Sequence, residues 1–416
     1  MMKSKQAIYI QILIFVTLIG MCAIPSLCKK TTYSPDDYPF VYYSSILKEL
    51  CYIDFQNKET PMRDGAGNLY TTAQYDSLMP LFNFRQLMVD NRLPDSIDGH
   101  EITPPVLMSK SIIYRYSPVK FKTPDVGLYI MYESMPKRVG LELPDDVFRM
   151  KDKIEFIDNA SNTINTQKSK AFRQALDKAG YSFPTQWVAG NMNPHKRYDE
   201  GYFCLDYNRQ LFHVKMVNGR PFVRNTHIGD SINIEGFTMY EAADKRFYGF
   251  LFDKMGNAYI IESDEGKYKA LKLDIPPINL DHDEMMIMGN LLYWTVTVTS
   301  KKGKDVYALN SGTLQCVQKI FLERTPGKWD NVSAWLFPAQ LTFEHNNSDF
   351  IYPRLTVTAY KAFAVNLALA LISGLLIPNP GKKRLFNFLF VLLTGIAGLI
   401  ALLLLPDFST KKIKSK

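Results

Sequence analysis

Apolar and polar residues alternate in three stretches in the middle of the chain, at 201–225, 247–273 and 291–320. Period-two alternation is the pattern of a half-buried β-strand, and Trp294-Thr295-Val296-Thr297-Val298 is its clearest run here. Each stretch predicts three strands joined by two tight turns. The first places strands at 202–206, 211–217 and 220–224, with Asn218-Gly219 at the second turn. The second places them at 247–253, 258–262 and 267–273, turning at Lys254-Met255-Gly256 and at Gly266. The third places them at 291–299, 306–309 and 313–320, turning at Lys301-Lys302-Gly303 and Asn310-Ser311-Gly312. Asn-Gly and related pairs supply the positive φ that tight hairpins need. Tyr202, Tyr248 and Tyr293 open equivalent strands, 46 and 45 residues apart, a spacing typical of propeller blades. Three ordinary hairpins of a sandwich or meander leave the same pattern. The predicted fold class is therefore mainly β with a few helices, either β-propeller-like or multi-sheet.

The flanking regions carry weaker signals. Residues 51–55 and 69–72 predict a strand pair around the turn Gly65-Ala66-Gly67-Asn68, and Gly67-Asn68-Leu69-Tyr70 echoes Gly256-Asn257-Ala258-Tyr259. Residues 31–50 read as a polar, aromatic-dotted lead-in. Asp76 is placed to cap a helix running to about Asn91, before Leu93-Pro94, and Pro104-Pro105 marks a loop. Further strands are predicted at 112–116, 128–133, 147–150 and 154–157. The clearest soluble helix is 168–179, where Ala171, Phe172, Ala175, Leu176 and Ala179 form one apolar stripe. Thr166 can cap its start and Gly180 its end, while Lys168, Lys170, Arg173 and Lys178 read as a solvated face. Residues 329–343 predict more strand, and 352–356 leads into the terminal apolar segments.

Those segments change the picture. Residues 7–27 carry no charge, follow Lys3 and Lys5, and are long enough to cross a bilayer. Without a clear cleavage site they read as an uncleaved signal-anchor over 1–29. Two more apolar runs, 359–377 and 385–405, are joined by Pro378-Asn379-Pro380-Gly381 and three basic residues. A connection this short predicts a transmembrane helical hairpin over 357–406, before a basic tail at 407–416. Asn366, Ser373, Asn387 and Thr394 place polar groups inside the hairpin, and Gly374, Gly395 and Gly398 admit a close neighbour. The predicted β-rich domain then spans 30–356. Its side of the membrane is contested: with the amino terminus inside, five basic residues flank the inner face and eight the outer, against the positive-inside rule. The basic leader and the basic hairpin loop still favour an extracytoplasmic domain at the inner membrane, because long domains cross largely regardless of charge.

The 416 residues carry a net charge of +8, mostly in clusters beside apolar stretches, which suits lipid headgroups better than a nucleic-acid groove. Membrane, and not nucleic acid, is the expected contact. Of the five cysteines, Cys22 and Cys28 lie at the first apolar segment. Cys51, Cys204 and Cys316 read as small buried hydrophobes, with one bridge among them allowed in an oxidising compartment. Phosphate-loop, His-Glu-x-x-His and Gly-x-Ser-x-Gly signatures are absent. Asp281-His282-Asp283-Glu284 is the densest set of potential metal ligands, but neighbours along a strand point to opposite faces. Asp253-Lys254-Met255-Gly256-Asn257 only loosely matches a calcium loop and reads as a turn. His195, His213 and His227 show no ligand spacing. No catalytic, cofactor-binding or metal-ligating residue is assigned.

The runs Ile154-Glu155-Phe156-Ile157-Asp158, Lys168-Ser169, Phe183-Pro184, Gly190-Asn191, Asp199-Glu200-Gly201-Tyr202-Phe203 and Leu211-Phe212-His213-Val214-Lys215 resemble an uncharacterised family of bacterial envelope proteins. Leu93-Pro94-Asp95 and Gly99 also match. The family joins a large domain of unknown function to terminal membrane helices. The resemblance implies a setting near ABC-type transporter subunits and supplies no catalytic residues. The expected function is a non-enzymatic, membrane-anchored protein whose β-rich domain binds a partner or ligand, as an accessory or sensing subunit of a transporter complex with a possible permease partner. The alternatives are an envelope enzyme acting on glycans or peptides and a structural scaffold.

Overall fold

Alternation along a strand sends neighbouring side chains to opposite faces, and here both faces are apolar. In strand Phe247–Asp253, Phe250 and Phe252 enter one hydrophobic cluster while Leu251 enters another. Strands Tyr202–Leu205 and Leu211–Val217 divide likewise, with Tyr202, Cys204, Phe212 and Val214 on one side and Phe203, Leu205 and Leu211 on the other. Burying one such side chain stabilises by roughly 1.5–3 kcal/mol, so neither face of these sheets can stay in water. The computed structural model describes residues 2–34, 38–54, 62–123, 125–343, 351–357, 360–377 and 381–405, with side chains from residue 6 onward. The chain forms two compact units, Tyr38–Glu323 and a second made of Met1–Asp37 with Arg324–Lys416.

Among the described residues the first unit is built around four antiparallel sheets of four or five strands, beside two two-stranded hairpins. The first pairs Phe40–Ser44, Glu49–Ile53, Met62–Arg63 and Leu69–Tyr70 in that order. The second orders Trp187–Gly190, Tyr202–Leu205, Leu211–Val217 and Arg220–Asn225. The third orders Ile234–Met239, Phe247–Asp253, Ala258–Asp264 and Lys267–Lys272. The fourth runs Cys316–Glu323, Gly303–Asn310, Tyr293–Thr299 and Glu284–Gly289, and closes on Ile112–Tyr116. Sequential four-stranded meanders are the strand order of propeller blades.

The sheets pack face to face in a file. Second meets third through Phe203, Leu205, Phe237 and Leu251. Third meets fourth through Phe250, Phe252, Trp294 and Val296, with Tyr114 stacked on Phe250 at 3.8 Å between ring centroids. Fourth meets first through Val306, Ala308, Val41 and Tyr43. Helix Thr166–Ala179 and the hairpin Asp146–Met150/Ile154–Asp158 cover the free face of the second sheet with Phe172, Leu176 and Phe156. Helix Thr72–Leu78 covers the first sheet with Tyr75.

Each predicted three-stranded unit is thus preceded by a fourth strand in its sheet, and the third unit's sheet also takes Ile112–Tyr116 as a fifth. The omitted strands, Trp187–Gly190, Ile234–Met239 and Glu284–Gly289, are short, glycine-containing or methionine-rich, so they lack a β-branched signal. Other expectations are corrected too. The lead-in contains the buried strand Phe40–Ser44, whose aromatic residues pack into the core. Glu49–Ile53 pairs with Met62–Arg63, which intervenes before Leu69–Tyr70. Thr71, not Asp76, caps the next helix, which ends at Leu78 before a separate helix Phe84–Val89. Prolines at Pro104 and Pro105 start a short helix, Pro104–Lys110, where a missing N–H costs nothing. The strand expected at 128–133 reduces to isolated bridges at Tyr129 and Glu133. Asn165, not Thr166, caps the long helix, accepting from Lys168 N at 3.0 Å, and Gly180 ends it at φ 84° as expected.

One turn recurs. Asp64, Asp206 and Asp253 each accept the main-chain N–H four residues on, from Asn68, Gln210 and Asn257, at 2.8, 2.8 and 2.9 Å. The second oxygens of Asp64 and Asp253 also take the Asn side-chain amide, at 2.8 and 2.7 Å, and a tyrosine hydroxyl two residues further on, from Tyr70 and Tyr259. The loose calcium-loop resemblance at Asp253 is therefore a hairpin whose carboxylate is occupied by its own turn.

In the second unit, helix Met2–Thr32 packs with helix Lys382–Leu404, which pairs with helix Ala362–Leu376. Two of these, Gln6–Thr32 and Lys382–Leu404, are long and apolar enough to cross a membrane, while Ala362–Leu376 has 15 residues. Phe15, Ile19, Leu371, Leu375, Leu393 and Leu404 point outward. Asn366, Ser373 and Asn387 are buried, and Asn366 donates to Leu392 O at 2.9 Å across the helix pair. That contact sits where Gly395 breaks the helical backbone, so the hairpin's polar and small residues pack within this unit. The stretch read as strand at 329–343 is helix Lys328–Leu336 followed by strand Ala339–Thr342, paired with Arg354–Val357. Phe55, Ala359, Pro378-Asn379-Pro380 and the basic tail at 407–416 lie outside the described residues.

The third-sheet turn gives a stability test. Gly256 has φ 88°, and a Cβ there would fall on the carbonyl of Ile278, whereas Gly219 at φ 72° faces open space. Gly256→Ala is expected to lower unfolding stability by about 2 kcal/mol or more, and Gly219→Ala by about 1 kcal/mol. Urea unfolding of the detergent-solubilised chain reads both; equal shifts would contradict the packing at Gly256.

Candidate functional site

Two features stand out in the Tyr38–Glu323 unit. The first is a buried ionic clasp between sheets two and three. The loop after Trp187–Gly190 carries Lys196, Asp199 and Glu200, and the loop after Ile234–Met239 carries Glu241. The two preceding strands pack side by side, which brings the loops together. Lys196 Nζ donates to Asp199 Oδ1 at 2.6 Å and to Glu241 Oε1 at 2.9 Å, and all three side chains are at most 5% exposed.

Every remaining carboxylate oxygen has a donor. Asp199 Oδ2 accepts from Ser134 Oγ at 2.6 Å and Gly201 N at 3.1 Å. Glu241 Oε1 also takes Glu200 N at 2.9 Å, and Oε2 takes Asn191 Nδ2 at 2.8 Å. Burial lifts the Glu241 carboxyl above its ordinary value, although Lys196 opposes the shift. Two carboxylates on one ammonium, each fully hydrogen-bonded, form a lock rather than a reactive pair.

His213 extends this network. Its Nδ1 lies 2.7 Å from Tyr268 Oη and its Nε2 lies 2.6 Å from Glu200 O. A carbonyl can only accept, so Nε2 carries the proton and Nδ1 accepts from the tyrosine. Burial and the nearby Lys215 ammonium lower the imidazole to about 3. Lys215 pairs with the Glu200 carboxylate at 2.6 Å.

The second feature is an open groove of about 720 Å³ between the outer ends of sheets three and four. Lys272, Asp274, Pro276 and Pro277 line one wall, and Tyr307, Cys316, Val317, Gln318 and Lys319 the other. Asp274 Oδ2 accepts from Cys316 N at 2.9 Å, tying the walls together. Burial, then Asp274, raises the Cys316 thiol, which disfavours the nucleophilic thiolate. Burial, then Asp305, pushes the Tyr307 phenol up to about 12. The groove therefore presents two ammonium groups, the Asp274 carboxylate, neutral thiol and phenol, and proline faces. That chemistry suits reversible holding of an anionic or peptide-like ligand.

The residues flagged by sequence lie apart. Asp281, His282 and Asp283 are at the surface, where Asp283 accepts Asn279 N at 2.8 Å, and Glu284 begins the fourth sheet. His195 and His227 are exposed. The bridge allowed among Cys51, Cys204 and Cys316 does not form; all are free thiols, two of them buried. Among the described residues no group of three or more His, Cys, Asp or Glu is placed to hold a metal ion. The clasp was missed because Glu241 is remote from Lys196 in sequence. Its only trace was the Gly190-Asn191 and Asp199-Glu200-Gly201 runs.

A family profile described as a domain of unknown function, DUF4857, matches residues 40–309. The chain belongs to this family. The match spans the sheets, the clasp and most of the groove, and ends before the edge strand Cys316–Glu323. No curated protein matches the chain in sequence. Among solved structures, the β-propeller domain of Cps50 (Swd1) from Myceliophteria thermophila is 10% identical at TM-score 0.26, over 49% of this chain and 58% of that one. PorZ, a surface component of the type-IX secretion system of Porphyromonas gingivalis, is 10% identical at TM-score 0.22, over 69% of this chain and 32% of its own. The dihydro-heme d1 dehydrogenase NirN is 11% identical at TM-score 0.18, over 74% of this chain and 89% of that one. The chain thus spans little more than half of the first of these and a third of the second. At such scores its own sheets define the architecture.

Two outcomes follow from the clasp. Lys196→Met strands two buried carboxylates and is expected to destabilise the chain by about 3–5 kcal/mol in urea unfolding; a loss below about 1 kcal/mol would mark the clasp as solvated. His213 titrates near 6.5 when unfolded and near 3 when folded. The folded chain then binds fewer protons, so this stability is full above pH 6.5 and is lost as pH falls toward 3. His213→Gln is expected to flatten the stability–pH slope across that window; an unchanged slope would contradict the neutral, buried imidazole.

Proposed function

We propose that this DUF4857 protein is a non-enzymatic, membrane-anchored binding protein of the bacterial envelope. Its sheet-built unit lies on the outer side of the inner membrane and holds a ligand or partner, as an accessory or sensing subunit of an ABC-type transporter complex. The observation that carries the binding reading is the open, lysine-flanked groove between sheets three and four, on a unit whose buried Lys196, Asp199 and Glu241 are already engaged with one another. The two long apolar helices support anchoring. The transporter setting rests on the family resemblance, and the outer location on the basic leader ahead of the first apolar helix.

Location and partnership are tested separately. Met255 sits exposed on the third-sheet turn. A Met255→Cys chain in intact spheroplasts is expected to react with a membrane-impermeant maleimide; labelling only after lysis would place the unit in the cytoplasm. Purified in mild detergent from its native membrane, the tagged chain is expected to retain a permease, and Lys272→Glu in the groove to reduce a bound anionic ligand by about tenfold. A chain that emerges alone and binds nothing in the groove would remove this reading.

A further inference from the structure

We propose that the outer edge of the fourth sheet, strand Cys316–Glu323, is the surface on which two copies of this chain pair, antiparallel and about a twofold axis through Phe321. This goes beyond the ligand-binding reading and does not rest on it.

An open sheet edge invites another strand, and proteins guard such edges. Three of the four outer edges here are guarded in recognisable ways. In the first sheet the edge strand, Leu69–Tyr70, is only two residues long. In the second sheet, Arg220–Asn225 is packed against helix Thr166–Ala179. The third sheet ends in Lys267–Lys272, where Lys267, Lys269 and Lys272 are exposed. The fourth is guarded least: it carries one exposed lysine, Lys319, against the three of the third sheet, and a register shift near its start. Its edge strand is eight residues long and pairs only on its inner side, with Gly303–Asn310, among the described residues. It also exposes two apolar side chains, Val317 at 48% and Phe321 at 51%.

The pattern along this strand identifies the occupant. Exposure alternates strictly, so Val317, Lys319, Phe321 and Glu323 share the exposed face, while Ile320 and Leu322 pack inward against Val306 and Ala308. In an antiparallel pair, directly opposed residues lie on the same face. With the axis at Phe321, Lys319 faces Glu323 of the partner subunit, Glu323 faces Lys319 of the partner subunit, and the two Phe321 rings meet. Both ion pairs and the aromatic pair then form at once, the self-complementarity that an isologous interface requires. Moving the axis one residue to Ile320 sets Lys319 against Phe321 and Val317 against Glu323. Moving it to Lys319 opposes two ammonium groups. Only the Phe321-centred register matches charge with charge and ring with ring.

The test uses the full chain in detergent with Cys22, Cys28 and Cys316 changed to Ser. Residues that face their own copy across an antiparallel pair have Cα atoms about 5 Å apart, within disulfide reach. Phe321→Cys is expected to give a disulfide-linked homodimer under mild oxidation, at least about tenfold more than Val317→Cys, which faces no copy of itself. In chains that keep Phe321, Lys319→Glu is expected to weaken association by about tenfold, and Lys319→Glu with Glu323→Lys to restore it. The double swap keeps the composition of the parent, so recovery reports the pairing itself. A Phe321→Cys chain that stays monomeric, or links only to a different protein, would overturn the proposal, as would a double swap that does not recover.

Discussion

Each of the four sheets buries both of its faces. A sheet with one wet face can fold against a single helix layer, but one with phenylalanines on both sides needs two neighbours. In the third sheet, Phe250 and Phe252 need the fourth, and Leu251 and Phe237 need the second. The file has to continue until an element with only one apolar face ends it. Helix Thr166–Ala179 does so at one end, with Phe172 and Leu176 inward and Lys170, Arg173 and Lys178 outward, and helix Thr72–Leu78 does so at the other. The meander order, the capping helices and the placement of loops all follow from that two-sided demand.

The loops inherit their positions from the file, and the ionic clasp exists for that reason. Lys196 and Glu241 meet because Trp187–Gly190 and Ile234–Met239 lie side by side. Saturation of Asp199 and Glu241 by the lysine, a serine, an amide side chain and main-chain N–H groups makes the contact specific to one register of the two sheets. The groove has the opposite character. It lies toward the outer strands of sheets three and four, and its lysine, carboxylate and proline surfaces face solvent.

Much of this was legible locally. Strands 211–217 and 247–253 coincide with Leu211–Val217 and Phe247–Asp253, because alternation and turn residues are written within a few positions. The echo between Gly67-Asn68 and Gly256-Asn257 proved to be one hairpin with one hydrogen-bond pattern, which Asp206 repeats without the glycine. The first strand of each repeat was hidden because Trp187-Val188-Ala189-Gly190 and Ile234-Glu235-Gly236 take their burial from neighbours rather than from their own pattern. Gly236 is small because Phe121 and Trp187 press against it. The clasp and the groove join residues far apart in the chain, so periodicity could not reveal them. The terminal helices were plain from length and hydropathy, and Asn366, Ser373 and Thr394 within them turn out to donate to main-chain carbonyls of the helix pair.

The dependence of each sheet on its neighbours is most directly tested by native-state hydrogen exchange on the full chain. Mutual burial predicts that amides at the centres of the sheets, such as Cys204, Leu251 and Val296, open together with one common free energy and one denaturant dependence. Exchange of one sheet at a markedly lower free energy while the sheets on either side stay protected would contradict it.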